Sequence, residues 1–453
     1  MTEQEPTLLS RALGVVTDVR PKEALTALLL TLNVFLLMTA YLAIKPVREG
    51  LILVMPSGPE YKSYMGGAIA ITLLFAVPAY ARFADRLPRN RLVVGVTLFF
   101  ASHLVLFWLG SSIPAVRSRL GLLFYLWVGI FNMMVVAQFW SFANDLYDEE
   151  QGKRLFPLLG VGQTVGALAG NAIAAFLLEV LHLGVYQMLL FSAALLAASA
   201  FLTQVVHTRE SHRKEGATEQ DEDDTQEKKG IEKGAFRLVF KNRYLLLIAA
   251  FSVVFTFVNS NGEYMLGRLV KEHTSALVAA GDLAKASSKE YITTTFNRFY
   301  LYVGICTVVL QTLVVSRLIK HGGLKVAFFV LPFIALGDAT AVVIAPVLAI
   351  LFVGKIAENS TDYSVNNTVR NMLWLPTTRA MKYKAKQAID TFFVRMGDVS
   401  SALLVFLGAG LSAWSVRHFA SVDIALVALW LVLAVAILRE NKKLHEKQSK
   451  PDT

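Results

Sequence analysis

Four groups of ionisable residues stand inside otherwise apolar sequence. Lys45, Arg48 and Glu49 lie in "AYLAIKPVREGLILVM", residues 39–54, and on a continuous helix they occupy positions i, i+3 and i+4 of one face. Glu263 follows the polar run Asn259-Ser260-Asn261-Gly262, with Arg268 and Lys271 close behind. Lys355, Glu358, Asn359, Asp362, Asn366 and Arg370 recur every three or four residues through "LFVGKIAENSTDYSVNNTVRNMLWLP", 351–376, and draw one polar stripe down one helical face. Asp390, Arg395 and Asp398 precede a run of small residues. An ionisable group in hydrocarbon costs roughly 2.5–3.5 kcal/mol, so such a group is expected to face a partner or a cavity. Cations placed this way attract anions, and Arg grips phosphate or carboxylate with two parallel hydrogen bonds.

Each group also has a purely structural reading. A helix begun at residue 24 is about 30 Å long by Lys45, far enough for the first group to snorkel at the outer interface. Pro46 removes a backbone hydrogen bond and is expected to kink that helix. Glu263 fits a helix-end cap as well as a functional carboxylate, because the polar run before it reads as an interruption. The stripe on 351–376 would suit a solvated surface helix, but apolar residues flank it at both ends, which favours a pore-lining one. Close packing explains the Gly and Ala after Asp398; it does not explain Arg395.

These groups need a scaffold, and composition names it. Of 453 residues 55% are hydrophobic and only 17% charged, well below the roughly 25% of a soluble domain. Apolar runs of about 20 residues recur, the length of a membrane-spanning helix, and they are continuous rather than alternating as barrel strands would be. Twelve spans are expected, near 24–44, 64–81, 92–110, 121–143, 157–180, 185–206, 243–262, 294–316, 324–346, 347–373, 388–412 and 414–438. The charged stretch 207–234 lacks apolar periodicity and reads as a cytoplasmic linker. It divides an N-terminal six-helix bundle (1–206) from a C-terminal one (241–453), with 207–240 between them. Lys and Arg concentrate in the even-numbered connections, including "RFADRLPRNR" (82–91) and "TTRAMKYKAK" (377–386), and in the tail. Both termini are therefore expected in the cytoplasm. Residues 7–20 suggest a short amphipathic helix at the membrane surface. Helix count and the similar basic loops after spans two and eight resemble the major facilitator fold, which implies a substrate bound between the halves near the midplane.

The net charge of +10 belongs to the loops and does not indicate nucleic acid. The sole cysteine, Cys306, allows no internal disulfide. The histidines lack metal-ligand spacing, no G-x-x-x-x-G-K-[ST] loop is present, and no nucleophile–base pair is visible. No cofactor is implied and an enzyme is the least favoured class. The residues alone lead to a carrier with a mixed-charge cavity for an organic anion.

Two longer motifs narrow this. "FWSFANDLYDEEQGKRLFPLLGVGQTVGALAGN", 139–171, carries Phe139-Trp140, Phe142-Ala143-Asn144, Lys153-Arg154 and Phe156-Pro157-Leu158 with Gly160 and Gly162. "DYSVNNTVRNMLWLPTTRAMKYKAKQAID", 362–390, carries Tyr363-Ser364, Arg370, Met372, Trp374-Leu375-Pro376 and the run Lys384 to Asp390. In order and spacing these resemble the non-mitochondrial ATP/ADP translocase family, the nucleotide transporters of plastids and intracellular bacterial parasites. The family's first helix ends in a basic-x-x-basic-acidic pattern that Lys45, Arg48 and Glu49 fit. The resemblance puts Arg48 at the second cation, implicated in nucleotide transport, and Glu263 at the seventh-helix glutamate. Two positions depart from the family. Its fourth-helix glutamate is Val128 here, with Asn132 the nearest polar substitute, and its eleventh-helix lysine is Asp398, with Arg395 one turn earlier. Asp362 also stands where plastid-type members have a cation.

The expected substrate contacts are Lys45, Arg48, Glu49, Asn132, Asn144, Glu263, Lys355, Asp362, Asn366, Arg370, Arg395 and Asp398. The leading expectation is a monomeric antiporter of nucleotides or related phosphorylated anions in a bacterial inner membrane. A proton-coupled carrier of another organic anion is the alternative, and a receptor or scaffold that uses the linker is a third.

Overall fold

The computed structural model describes residues 19–84, 88–214, 232–378 and 385–449, together with Thr17 and Met381. Most of the expected surface helix 7–20, the middle of the linker, and parts of the loops at 82–91 and 377–386 lie outside the described residues. Among the described residues the regular structure is helical throughout. Twelve long helices follow in order: α1 (Ala24–Leu53), α2 (Gly58–Ala84), α3 (Arg89–Gly110), α4 (Leu120–Leu146), α5 (Glu149–Ala175, extended by the π-turn Phe176–Val180) and α6 (Gln187–Lys214). After a short helix, Glu232–Lys241, come α7 (Arg243–Ala280) and α8 (Ser288–Val309, extended by the π-turn Leu310–Val314). The next helical stretch, Val315–Ile344, breaks at Gly323, whose φ of 64° is left-handed; α9 denotes 324–344. Then follow α10 (Leu348–Thr361, the π-turn Asp362–Asn366, and Asn367–Met372), α11 (from Lys386 to Leu411) and α12 (Val416–Ser449). Among the described residues, nine stretches are long and apolar enough to cross a membrane, one of which, Lys285–Ile344, holds both α8 and α9. The protein is a multi-pass membrane protein.

Three boundaries differ from the sequence expectation. α1 does not stop before its charges but continues through Pro46 to Leu53. α7 runs unbroken through Asn259–Gly262 to a left-handed cap at Gly281, so Glu263 lies in mid-helix and caps nothing. α6 extends through 207–214, so the charged stretch starts as helix. In each case the polar residues find partners that let the backbone remain helical, which hydropathy alone does not register.

The chain forms two compact units. The described residues of Met1–Leu51, Phe75–Asp221 and Lys289–Leu301 make unit 1; those of Ile52–Leu74, Glu222–Ser288 and Tyr302–Thr453 make unit 2. Each has its own apolar core. In unit 1, Trp127 lies parallel to Phe131 with centroids 5.3 Å apart, and Phe100 and Phe107 meet it edge-on. In unit 2, Trp430 meets Phe251 and Phe255 edge-on. α5 approaches α1 through Gly162, Gly166 and Gly170. A Cβ on Gly166 would sit 2.5 Å from the Phe35 carbonyl oxygen, and one on Gly162 or Gly170 would sit 2.7 Å from that of Thr31 or Thr39. Glycines four residues apart share a face and let two backbones touch; part of the glycine pattern of the motif at 139–171 is therefore a packing seam. α1 also carries a buried polar ladder to α6: Asn33 Nδ2 donates to Thr203 at 2.8 Å, and Thr26 donates to Glu210 at 2.6 Å.

Candidate functional site

Unit 1 gathers its cations on one face of α1. Arg48 donates from Nε and Nη2 to the same oxygen of Glu49, at 3.1 and 2.6 Å. Its guanidinium stacks 4.3 Å above Tyr125 of α4, while Lys45 lies 3.9 Å over the ring of Tyr300 on α8. Tyr300 donates to the same Glu49 oxygen at 3.4 Å. Close packing holds this arrangement, since a Cβ on Gly50 would collide with Thr293 of α8. Glu49 is 0% exposed, and its place in the cluster is to orient Arg48. Both hydrogen bonds of Arg48 go to one oxygen, and among the described residues no acceptor takes its remaining Nη1. The two cations and one carboxylate leave a net positive charge. Aromatic faces stabilise a desolvated cation by about 2 kcal/mol without neutralising it.

The other two expected contacts of unit 1 are not drawn in. Asn132 is half-buried on α4 and Asn144 is exposed in its last turn, and neither hydrogen-bonds to Lys45, Arg48 or Glu49. Val128 is 0% exposed in the apolar core. The motif around Asn144 supports the fold: Trp140 donates to Gln163 at 3.2 Å, and Asp148 caps α5 in a reciprocal capping box with Gln151. Arg154, from the basic pair, forks onto Glu23 at the start of α1 at 3.1 and 3.2 Å.

Unit 2 is organised around Lys355, 0% exposed on α10. Its ammonium donates to Glu358 at 2.8 Å and to Asn259 of α7 at 3.0 Å. Gly262 makes room for it, since a Cβ there would lie 2.9 Å from Nζ. One turn on, Glu263 accepts from Asn359 at 3.1 Å and from Lys62 of α2 at 3.2 Å. Asn366 donates to Asp362 at 2.7 Å across the π-turn. Arg370 hydrogen-bonds to Asp390 on α11 at 3.3 Å. Asp398 accepts from Arg395 at 3.1 Å and from Ser260 at 2.7 Å. The expected stripe thus divides: Lys355, Asn359 and Glu263 form one network, whereas Arg370 and Arg395 form separate pairs.

Sequence reasoning missed three buried charges here. Lys62, 5% exposed, falls in "MPSGPEYKSY", turn-like sequence where a lysine is unremarkable. Asp338 and Asp423 did leave a signal, since each is the sole carboxylate inside an expected span. Asp423 accepts from Asn261 at 2.8 Å.

A multi-pass helical protein with a cluster of charges inside a span is the setting in which known relatives become informative. Over 98% of both chains the sequence is 20% identical to ADP,ATP carrier protein 1 of Rickettsia conorii. It is 24% identical to ADP,ATP carrier protein 5 of Rickettsia bellii and 21% identical to ADP,ATP carrier protein 1 of Chlamydia pneumoniae. Against these two the chain spans 59% and 64% of the relative's length, and 62% and 68% of its own. The fold is that of major facilitator-type transporters: the nucleoside transporter NupG superposes with a TM-score of 0.63 at 12% identity, covering 91% of this chain and 98% of that one. A bacterial homologue of the iron transporter ferroportin gives 0.60 at 13% identity with the same coverage. The family model for the TLC ATP/ADP transporters matches residues 113–441, well over half of the sequence and both long motifs, and the chain belongs to that family.

Proposed function

We propose that the protein exchanges nucleotides or closely related phosphorylated anions across a bacterial inner membrane by alternating access, as a monomer with both termini in the cytoplasm. The observation that carries this reading is Arg48, a part-buried guanidinium beside Lys45, with one nitrogen that no described residue uses. A phosphate oxygen is a fitting acceptor for that nitrogen, and a hydrogen bond to a charged group contributes about 1.5–3 kcal/mol. Family membership and the ADP,ATP carriers among its relatives point to a nucleotide, and the basic even-numbered loops support the orientation. Lys45 adds charge beside Arg48; Arg370 and Arg395, each paired with a carboxylate outside this cluster, are second-rank contacts. The test is counterflow in proteoliposomes, with radiolabelled ATP outside and a panel of nucleotides, nucleosides and carboxylates inside. Exchange of at least one phosphorylated compound, slowed roughly 10- to 150-fold in an Arg48→Ala/Glu49→Gln variant, is expected. Failure to exchange any phosphorylated compound overturns the reading.

A second reading, a carrier of another organic anion, is favoured by two positions. Val128 is core packing, and Asp398 brings negative charge where the family resemblance implies a lysine. Exchange of carboxylates but no phosphates in the same panel would decide for it.

A further inference from the structure

Unit 2 also holds carboxyl groups that anion binding does not explain. Asp338 of α9 lies against the backbone of Gly354 on α10, where a Cβ would collide with its Oδ1. Its carboxyl is within hydrogen-bonding reach of that of Glu358, the partner of Lys355. Asp423 of α12 is near enough to interact with both Glu358 and Lys355. Glu263 has an ammonium of its own in Lys62, and Arg370 is already paired with Asp390. Asp338, Glu358 and Asp423 therefore share one ammonium. Fully ionised, they would leave two net negative charges in a low-dielectric interior, where adjacent like charges suppress one another's ionisation.

Two further observations bear on what balances them. No N–H or O–H among the described residues reaches the buried Oδ1 of Asp338, so this acceptor and the carboxyl of Glu358 are close without a donor between them. A small cavity opens on Glu358 and is also lined by Asn259, Asp362 and Trp430. Trp430 is 2% exposed and its indole N–H has no acceptor among the described residues. Asn259, Glu358 and Asp362 supply the polar part of a wall that is otherwise apolar. A metal ion fits poorly, because the Lys355 ammonium already holds Glu358 at 2.8 Å, and no group of three metal-ligating side chains is found among the described residues.

We propose that Asp338 carries a proton that it donates toward Glu358, taken up and released through the cavity beside Trp430, and that this proton is linked to the transport cycle. An O–H bond forms on the Asp338 carboxyl and donates to Glu358, so the pair carries one negative charge, which Lys355 balances. Asp423 is held by the Asn261 N–H. The linkage rests on the transport reading above; the binding of the proton does not. Infrared spectra of the full-length protein in lipid, recorded in H2O and D2O at neutral pH, test the binding. The wild-type protein is expected to show the C=O band of a buried carboxylic acid, shifted in D2O and lost in both Asp338→Asn and Glu358→Gln. A wild-type spectrum without that band, or a band undiminished in both variants, overturns the proposal. Proteoliposomes loaded with a pH-sensitive dye test the linkage: wild-type substrate flux is expected to change internal pH and flux through Glu358→Gln to leave it constant. Substrate flux through the wild type without any pH change overturns the linkage. If no phosphorylated anion exchanges while the band appears and is lost as expected, the transport reading fails and the proton site stands.

Discussion

The two charged clusters are built on opposite principles. On α1, Lys45 and Arg48 rest on the faces of Tyr300 and Tyr125, and one buried carboxylate, Glu49, holds Arg48. On α10, Lys355 is bound by a carboxylate and an amide oxygen and has further carboxyls around it. Aromatic faces leave a cation chemically available, whereas carboxylates consume it. Unit 1 is therefore furnished to attract an anion, and unit 2 carries an excess of acid that calls for a proton. A residue's type does not distinguish these roles, since both clusters read as Lys with Glu three or four residues on; the partners from other helices do.

The sharpest way to break the comparison is to remove the central lysine of unit 2. Breaking a buried ion pair from one side costs about 3–5 kcal/mol, so Lys355→Met should produce the largest fall in thermal stability of the purified protein. Adding Glu358→Gln should recover much of it. Equal stability of the single and double variants would show that Lys355 is not held as described.

The matching test in unit 1 uses the pair variant Arg48→Ala/Glu49→Gln, which leaves no unpaired buried carboxylate. Loss of one charge-assisted phosphate contact, about 1.5–3 kcal/mol, predicts exchange slowed roughly 10- to 150-fold with the fold retained. Arg48→Lys should recover part of the rate, because it keeps the charge and loses the planar fork. Full activity in the pair variant would place the anion elsewhere. Tyr300→Phe separates orientation from charge. It keeps the ring under Lys45 and removes a long hydrogen bond to Glu49, so it should lower exchange by only a few-fold, about 0.5 kcal/mol.

The sequence made the scaffold readable and the networks only half so. Continuous apolar runs mark the spans because every backbone group in hydrocarbon must bond within its helix. The stripe on α10 was readable because Lys355, Asn359 and Asn366 do recur at helical spacing. Its second half was not. The π-turn Asp362–Asn366 inserts an extra residue into the helical repeat, and Arg370 then turns to Asp390 of α11. Helix ends were misplaced where charges find distant partners: Arg48 meets Tyr125 and Glu263 meets Lys62, contacts that hydropathy cannot supply. Asp338 and Asp423 show the converse, lone carboxylates in apolar runs whose meaning depended on Lys355 arriving from a third helix.

The smallest expected effect concerns a carboxylate outside the spans. Glu23 precedes α1 and is buried, which by itself would raise its pKa; hydrogen bonds from Arg154 and Gln151 outweigh that and lower it below the ordinary 4.5. A carboxyl group with a depressed folded-state pKa adds stability that is fully present above its unfolded value. That stability is lost as pH falls through the folded value. Thermal stability of the wild-type protein should therefore fall as pH drops below about 4.5, the unperturbed carboxylate range. Glu23→Gln should lack this portion of the slope while starting from a lower plateau. Arg154→Gln should cost more at neutral pH than Glu23→Gln, because it strands the buried carboxylate rather than removing it. If both variants keep the wild-type slope, the fork between α5 and α1 does not contribute to stability, and the basic pair of the long motif must be explained by something other than the fold.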